Sequence, residues 1–171
     1  YMDHVSDTIY AAFKVKVSNF DIIEGADVII WTTTPWTIPA NKALAYNAGL
    51  KYVLLEINDN KNFVNRKIII AKDLLDAFKK DTSIENIKIL KEFSGKDLKG
   101  TICSHPFSKM GYDYDIPMLE ANFVTTEQGT GIVHCAPSHG PDDFNLCLNN
   151  NIKAIETVDG DGKYTNEIKL F

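Results

Sequence analysis

The stretch from Asp27 to Asn41 reads DVIIWTTTPWTIPAN, in which a continuous apolar run leads into a turn of threonines, tryptophans and prolines. The run from Asp27 to Trp31 follows Gly25 and is typical of a buried β-strand. Because proline fixes φ and suppresses helix, we expect the turn to be stiff and to hold its hydroxyl groups in one orientation around a small polar ligand. A purely structural interpretation stays open, since threonine forms strands and tryptophan is usually a core residue.

Apolar patterns on both sides of this stretch predict further strands. Residues 8–17 alternate between apolar and polar side chains, and this period of two is typical of a half-buried strand. The apolar runs 51–57 and 65–70 are separated by a polar stretch and predict a hairpin. More strands are expected at residues 87–93, 122–126, 131–135 and 152–158. The sequence therefore predicts a mainly β protein, built as a closed or nearly closed β-barrel.

Two short helices are expected at the periphery of that barrel. In residues 71–80 the side chains of Leu74, Leu75 and Phe78 share one helical face, and lysines end the segment. The second helix is expected to begin at Pro141, because proline is favoured at the first helical position. No repeat or low-complexity linker interrupts the chain, so we expect residues 1–171 to form a single domain.

Composition and charge narrow the classes of protein. The chain carries a net charge of −5, which argues against an autonomous nucleic-acid-binding module, since such modules are usually basic on at least one face. No apolar stretch is long enough to span a membrane and the first residues show no export signal, so a soluble protein without a membrane partner is expected. Cys103, Cys135 and Cys147 lack the spacing of a zinc ribbon or a disulfide framework, which predicts a reducing cytoplasm.

A second unusual segment covers residues 129–144 and reads GTGIVHCAPSHGPDDF. It predicts a glycine-bounded buried strand, a turn, and a helix N-terminus that carries two carboxylates. An aspartate at a helix start is commonly only a cap, and a histidine at a strand end is commonly only hydrogen-bonded structure, so a structural interpretation stays open here too. A metal held by His134, His139 and one aspartate is a further alternative, which the two prolines disfavour because they break the segment.

Residues 159–163, with the sequence DGDGK, invite comparison with a calcium-binding loop, which also begins with alternating acidic residues. The match fails at the third ligand position, where Lys163 stands, and at the obligatory glycine, where Tyr164 stands. A tight β-turn between two strands is therefore expected.

Together the two unusual segments resemble the editing domain that class I aminoacyl-tRNA synthetases for isoleucine, valine and leucine insert into their catalytic fold. The resemblance spans nearly the whole chain. Residues 32–41, TTTPWTIPAN, look like the threonine-rich motif of the isoleucine type, whereas the valine and leucine types carry an arginine before the proline and no tryptophan after it. Residues 134–143, HCAPSHGPDD, are likewise of the isoleucine type. Cys135 and Ser138 differ from the residues that are commoner at these positions in the family, and these two differences weaken the resemblance very little.

The resemblance implies the hydrolysis of an aminoacyl ester. The substrate would be valine attached by mistake to tRNA(Ile), or valyl-adenylate. A hydrophobic pocket distinguishes valine from isoleucine by only about 1 to 3 kcal/mol, a magnitude for which isoleucyl-tRNA synthetase is itself the reference example. Asp143 would hold the α-ammonium of the substrate, and His134 would form the wall that the larger isoleucine side chain strikes. No metal or other cofactor is implied for this hydrolysis.

The same motifs imply roles for the remaining candidates. The resemblance implies that Thr32, Thr33 and Thr34 are catalytic residues together with Asp143, because the threonines would position the water molecule. Beside His134, the implied substrate-binding residues are Trp31, Trp36, Thr37 and Asn41. The three threonines, together with Trp36 and Asn41, would surround the terminal adenosine or the adenylate. An activated ester is already reactive, so orienting water and stabilising the developing oxyanion would suffice without a covalent nucleophile.

Two rival hypotheses stay open. A non-catalytic module would only bind the acceptor end of the tRNA, and the acidic net charge weighs against it. Editing by a leucine or valine enzyme is opposed by Trp36 and His134. The signature sequences His-x-Gly-His and Lys-Met-Ser-Lys-Ser of the synthetic site are absent. We therefore expect an excised domain, whose partners would be the aminoacylated 3′ end of tRNA(Ile) and the remainder of the parent synthetase.

Overall fold

The computed structural model describes residues 7–59 and 63–169 of the chain, which consist mainly of β-strands. The strands are β1 (Ile9–Val17), β2 (Asp27–Thr32), β3 (Ala43–Tyr46), β4 (Lys51–Asp59), β5 (Phe63–Ala71), β6 (Ile87–Ser94), β7 (Ile102–Ser104), β8 (Asp115–Glu120) and β9 (Ile132–Cys135). The α-helices are α1 (Leu75–Thr82) and α2 (Pro141–Asn149). In the part of the chain that the structure describes, no helix has the length and apolar character that a membrane crossing needs.

The strands form one curled sheet in the order β6-β4-β5-β2-β1-β7-β8-β3-β9. Most neighbours are antiparallel, whereas β2 pairs with β5 and β3 pairs with β8 in parallel. Where β9 begins, the backbone N–H of Ala71 at the end of β5 donates to the carbonyl of Thr130 over 2.7 Å. Gly131 has a φ of +73°, and a Cβ there would lie 2.3 Å from the Cβ of Ala71, so this approach requires glycine. The sheet thus curls back on itself, and the expected mainly β, barrel-like fold is confirmed.

The central strands are buried on both faces, which explains their continuous apolar sequences. In β2, Val28 and Ile30 belong to the core inside the curled sheet, whereas Ile29 belongs to a second cluster on the outer face. The same alternation holds along β4 and β5. Helix α1 covers the outer cluster with Leu75 and Phe78. Phe78 is nearly fully buried, and burial of such a side chain contributes about 1.5 to 3 kcal/mol.

Most of the predicted elements are confirmed. The strands expected at residues 8–17, 27–31, 87–93 and 131–135 correspond to β1, β2, β6 and β9. The predicted hairpin is the antiparallel pair of β4 and β5. Helix α2 begins at Pro141 as expected. The helix expected from residue 71 starts as the 3₁₀ turn Lys72–Leu74 and continues as α1.

Two strand predictions are wrong. Residues 122–126 form turns and irregular backbone, although Val124 is only 1% exposed. Of residues 152–158, only Val158 forms a β-bridge, with Tyr164. Val124 is buried by a loop that has no strand to pair with, whereas Ile155 in the second segment is 38% exposed. An apolar run alone therefore does not establish a strand.

The sequence patterns also fail to predict three short strands. All four residues of β3 are buried, and two of them are alanines, the residue with the highest helix propensity. Pairing of β3 with β8 on one side and β9 on the other overrides that propensity. Strand β7 has three residues, and β8 contains Pro117, so neither carries a clear strand pattern.

The topology brings the two unusual segments together. After Thr32 the threonine-rich stretch continues as the 3₁₀ turn Pro35–Ala40, which leads directly into β3. Strand β3 pairs antiparallel with β9, and Leu44 lies opposite His134. Because β9 leads within a few residues to α2, this pairing places the 3₁₀ turn beside the N-terminus of α2.

Candidate active site

A pocket of about 230 Å³ opens where the end of β2 meets the end of β9. Its lining residues are Trp31, Thr32, Thr33, Thr34, Trp36, Thr37, Val133, His134, Ala136, His139 and Asp143. The threonine-rich segment supplies one wall, and the segment from β9 to α2 supplies the other.

Hydrogen bonds among the threonines fix the first wall. The backbone N–H of Thr34 donates to Thr32 Oγ1 over 3.0 Å, and Thr37 Oγ1 donates to the Thr34 carbonyl over 2.8 Å. Pro35 takes the first position of the 3₁₀ turn, where its fixed φ fits and no N–H is needed. The side chain of Thr33 is exposed, and its hydroxyl has no partner within the described residues. The wall is therefore stiff and keeps at least one hydroxyl available to a ligand.

His134 is held at both ring nitrogens. Asn41 Nδ2 lies 2.7 Å from His134 Nδ1 and 2.9 Å from the carbonyl oxygen of Ala43. Because a carbonyl oxygen only accepts, it fixes the amide so that Nδ2 donates to His134 as well. The Nδ1 atom of His134 therefore accepts, its proton sits on Nε2, and Nε2 donates to Thr37 Oγ1 over 2.8 Å.

This environment keeps the imidazole of His134 neutral. Burial, with smaller contributions from the charges of His105 and His139, lowers the pKa of His134 from 6.5 to about 4. A general base needs an unengaged lone pair, and the lone pair of His134 already accepts from Asn41. The ring therefore offers the pocket a fixed shape, and it has no free nitrogen with which to take up a proton.

Aromatic residues support the 3₁₀ turn from behind. His105 Nδ1 accepts from the backbone N–H of Phe107 over 3.0 Å, so His105 Nε2 donates to the Ile38 carbonyl over 3.0 Å. Burial lowers the pKa of His105 to about 4, which keeps this ring neutral as well. The hydroxyl of Tyr114 donates to the carbonyl of Asn41 over 2.9 Å. The C-terminal half of the turn is therefore tied to the body of the domain.

Asp143 lies in the first turn of α2 and faces the pocket. Its carboxylate accepts from the backbone N–H of Ala136 over 2.9 Å, which ties the helix to the end of β9. Burial raises the pKa of Asp143, against the lowering effect of that hydrogen bond. No cationic side chain within the described residues pairs with this carboxylate. The pocket thus contains a partly buried acidic group that lacks a positive partner, whereas the neighbouring Asp142 is exposed and outside the lining.

Eight of the nine site residues predicted from the sequence line this pocket. The exception is Asn41, which is fully buried behind His134 and contacts it through Nδ2. Val133, Ala136 and His139 also line the pocket and were not predicted from the sequence. The sequence patterns suggested only a metal-binding role for His139. The feature that could have indicated its place in the pocket wall is its position in the turn just before the helix start at residue 141.

A larger cavity, of about 410 Å³, lies between the sheet and α1. Its lining is mostly apolar, and its charged groups have partners within the domain. Asp81 accepts from the hydroxyl of Tyr10 over 3.1 Å, and Arg66 Nε donates to Asp27 over 2.7 Å. Because the smaller pocket brings a partly buried carboxylate together with threonine hydroxyls, it is the better candidate for a site of chemistry.

This domain has a barrel-like, mainly β fold, and one small pocket in it brings together a carboxylate, a histidine fixed by hydrogen bonds and threonine hydroxyls. This combination defines the class of the synthetase editing domains. The family model described as "Leucyl-tRNA synthetase, editing domain" matches residues 14–170, and the chain belongs to this family. Within the family, the sequence is of the isoleucine–tRNA ligase type, as its curated relatives show.

The isoleucine–tRNA ligase of Pelagibacter ubique is 68% identical over 171 residues, which is all of this chain and 19% of that protein. The isoleucine–tRNA ligase of Gluconobacter oxydans is 46% identical over 170 residues, which cover 96% of this chain and 18% of that protein. The chain therefore spans about a fifth of the length of these relatives. The predicted resemblance to the isoleucine type is confirmed.

Solved structures share the fold at low sequence identity. The editing domain of the cytosolic leucyl-tRNA synthetase of P. knowlesi superposes with a TM-score of 0.63 at 17% identity, over 90% of this chain and 69% of that one. The corresponding domain of P. falciparum gives a TM-score of 0.59 at 17% identity, over 85% and 68% of the two chains. The mainly β architecture is therefore that of known editing domains.

Proposed function

We propose that this domain hydrolyses the ester bond of tRNA(Ile) charged by mistake with valine, and that it acts on valyl-adenylate in the same pocket. The observation that carries the proposal is the carboxylate of Asp143, which faces the pocket without a cationic partner in the described residues. An aminoacyl ester brings an α-ammonium group, which is the natural partner for such a carboxylate. The similarity to isoleucine–tRNA ligases supports valine as the amino acid removed, because valine lacks only one methylene of isoleucine.

The reaction needs little from the protein beyond positioning. Water adds to the carbonyl carbon of the ester, the bond from that carbon to the ribose oxygen breaks, and valine leaves. One proton of the water ends on the ribose oxygen, and the other is lost to solvent as the carboxylate of valine ionises. Thr32, Thr33 and Thr34 line the pocket, and their hydroxyls would orient this water. Because the turn is stiff, these hydroxyls would not need to reorganise in the transition state.

Selectivity against isoleucine would come from the wall that His134 and Thr37 form together. His134 cannot move without breaking a hydrogen bond to Asn41 and another to Thr37. A rigid wall does not relax around an extra methylene, since close-packed groups resist insertion. The larger isoleucine side chain would therefore be rejected by its size.

The nucleoside part of the substrate would lie against the two tryptophans that line the pocket. Trp36 is 48% exposed, which leaves its ring accessible to a base, and aromatic rings stack on bases of any sequence. Trp31 would contact the adenosine from the β2 side. Asn41 would act through His134, because its side chain is fully buried.

We further propose that the aminoacylated 3′ end of tRNA(Ile) and the remainder of the parent synthetase are the partners of this domain. No metal or other cofactor would take part. A metal bound by His134, His139 and an aspartate would require the His134 ring to give up its bond to Asn41 or Thr37. The cytoplasmic location indicated by the cysteines stays a prediction, and all three cysteines are free and buried.

A deacylation assay tests the proposed function. Valyl-tRNA(Ile) and isoleucyl-tRNA(Ile) are incubated with this chain and with a synthetase that contains it, and release of the amino acid is followed over time. We expect the synthetase to release valine much faster than isoleucine. Binding of the charged tRNA without any release would favour the non-catalytic module. Release from mischarged tRNA(Leu) or tRNA(Val) in preference to tRNA(Ile) would favour the leucine or valine type.

A further inference from the structure

Residues 155–165, which lie beyond α2 and which we call the strap, contact both walls of the pocket from outside. We infer that the strap positions Trp36 at the pocket mouth and so determines how the nucleoside part of the substrate is held. The inference rests on the proposed function, in which Trp36 contacts that nucleoside. It gives positioning roles to Thr157 and Tyr164, which belong to neither of the two sequence motifs.

The strap is a compact turn with its own hydrogen bonds. Val158 and Tyr164 form an antiparallel bridge, and the backbone N–H of Asp159 donates to the Lys163 carbonyl over 2.9 Å. The side chain of Asp159 accepts from the backbone N–H of Lys163 over 2.9 Å. The tight turn expected at residues 159–163 is therefore present, although a single bridge flanks it in place of two strands. A turn braced in this way can hold other groups in place.

Tyr164 holds the backbone of Trp36. Its hydroxyl donates to the Trp36 carbonyl over 2.6 Å, and that carbonyl belongs to the 3₁₀ turn Pro35–Ala40. Burial raises the pKa of Tyr164, so the hydroxyl keeps its proton and remains a donor at neutral pH. The strap is thereby joined to the threonine-rich wall.

Thr157 acts on the indole ring of Trp36 through His139. Thr157 Oγ1 lies 2.7 Å from His139 Nε2, and Thr157 is only 5% exposed. The His139 ring meets the Trp36 ring edge to face, with centroids 5.1 Å apart and an interplanar angle of 86°. Two contacts that start from one segment therefore converge on one residue, and they fix its backbone and its ring separately.

The ring of Trp36 needs this support because it is half exposed. Packing restrains a half-exposed ring less than a ring in the core, and a base that stacks on a mobile ring must order that ring on binding. The strap is itself fixed to the other wall, where Ser138 Oγ donates to the carbonyl of Ile155. The threonines and Asp143 stand where the ester reacts, whereas Trp36 would hold the leaving nucleoside. Loss of the strap contacts should therefore weaken substrate binding more than it slows the chemical step.

Fluorine NMR tests the positioning directly. The chain has two tryptophans, Trp31 and Trp36, so labelling with 5-fluorotryptophan gives two resonances, which Trp36→Phe assigns. We expect Thr157→Val and Tyr164→Phe each to shift and broaden the Trp36 resonance and to change that of Trp31 much less. Thr157→Ser keeps the hydroxyl and should restore the Trp36 signal.

Kinetics of a synthetase that contains this domain test the consequence for binding. In Thr157→Val and Tyr164→Phe, the KM for valyl-tRNA(Ile) should rise about three- to tenfold while kcat stays within about twofold. Thr82→Val and Tyr10→Phe are matched controls, because each removes a hydroxyl that hydrogen-bonds to a residue of α1, and neither Thr82 nor Tyr10 lines the pocket. The controls should leave KM, kcat and the Trp36 resonance unchanged.

A Trp36 resonance that stays unchanged in both strap variants would overturn the inference. A fall in kcat at constant KM would overturn it as well, because the strap would then act on the chemical step. If the wild-type synthetase releases no valine from valyl-tRNA(Ile), the proposed function fails. The NMR experiment then still decides whether the strap positions Trp36, so the two failures are distinguishable.

Discussion

His134 Nε2 donates to the Thr37 hydroxyl over 2.8 Å, and the Thr37 hydroxyl donates in turn to the carbonyl of Thr34 over 2.8 Å. The position of each proton in this series of hydrogen bonds is fixed, because Asn41 already donates to the other nitrogen of the imidazole. Protonation or rotation of the ring would cost a buried hydrogen bond, about 1 to 3 kcal/mol when a group is left unsatisfied. His134 and Thr37 therefore form one rigid surface, and this differs from the arrangement of a histidine that shuttles protons.

Truncation of His134 to alanine should open the pocket to isoleucine. The space left by the imidazole admits the extra methylene, so a synthetase with His134→Ala should begin to hydrolyse isoleucyl-tRNA(Ile) while hydrolysis of valyl-tRNA(Ile) survives in part. Deacylation of the two charged tRNAs, measured side by side, checks this. If His134 were a general base, both activities would instead fall together by about 10² to 10⁴-fold, and that result in a folded protein would refute the steric role.

Removal of the charge at Asp143 should abolish editing without disturbing the fold. In Asp143→Asn the amide oxygen can still accept from the backbone N–H of Ala136, but it no longer attracts an ammonium group. We expect kcat/KM for valyl-tRNA(Ile) to fall by about 10²-fold or more in Asp143→Asn and Asp143→Ala, while activation of isoleucine stays near normal. Asp142→Ala is the matched control, since Asp142 is exposed. A large loss in Asp142→Ala alone would move the ammonium anchor by one residue.

Acidification should destabilise the fold through its buried histidines. Burial lowers the pKa values of His105 and His134 from 6.5 to about 4 in the folded domain. Between these values the unfolded chain takes up protons that the folded chain does not, so the free energy of unfolding falls as the pH falls from about 6.5 to about 4. We expect a loss of about 2 to 5 kcal/mol for the two histidines together.

Urea unfolding at a series of pH values across this range measures that loss. His134→Gln has no titrating ring at this position and should show a shallower dependence on pH. Asp143 acts in the opposite direction, because burial raises its pKa and the folded state therefore gains stability as it takes up a proton on acidification. A slope that is the same in the wild type and in His134→Gln would mean that His134 is not held neutral.

Exhaustive chelation should leave the editing activity of this domain unchanged. Both nitrogens of His134 are engaged by Asn41 and Thr37, and the threonine wall supplies hydroxyls that orient water without a Lewis acid. Deacylation before and after treatment with a chelator, together with elemental analysis of this chain, checks the prediction. A stoichiometric metal whose removal stops hydrolysis would contradict it.

The strands could be predicted where sequence pattern and packing agree. The run DVIIW of β2 is buried on both faces, and such a run allows only a buried element. The residues ALAY of β3 are equally buried, but their local preference is helical, and only their neighbours β8 and β9 make them a strand. Those neighbours are supplied by segments roughly 70 to 90 positions further along the chain. No local pattern encodes such a pairing.

The candidate site could be predicted to a similar extent and for a similar reason. The two motifs supply most of the pocket lining, because unusual residues are concentrated in them. The burial of Asn41 behind His134 follows from the register of β3 and β9, which the sequence does not show. The contacts of Thr157 and Tyr164 with the pocket walls join stretches of irregular backbone, whose path no periodicity describes.

The curled sheet described above also determines when the pocket comes into existence. Thr37 and His134 are 97 positions apart in the chain, and Trp36 and Tyr164 are 128 apart. We expect contacts of this kind to form late in folding, because the long loops between them must close first. On the ribosome, the threonine-rich wall emerges well before β9, α2 and the strap that complete it. A nascent domain therefore has no complete pocket until β9, α2 and the strap have been made and have folded against the threonine-rich wall.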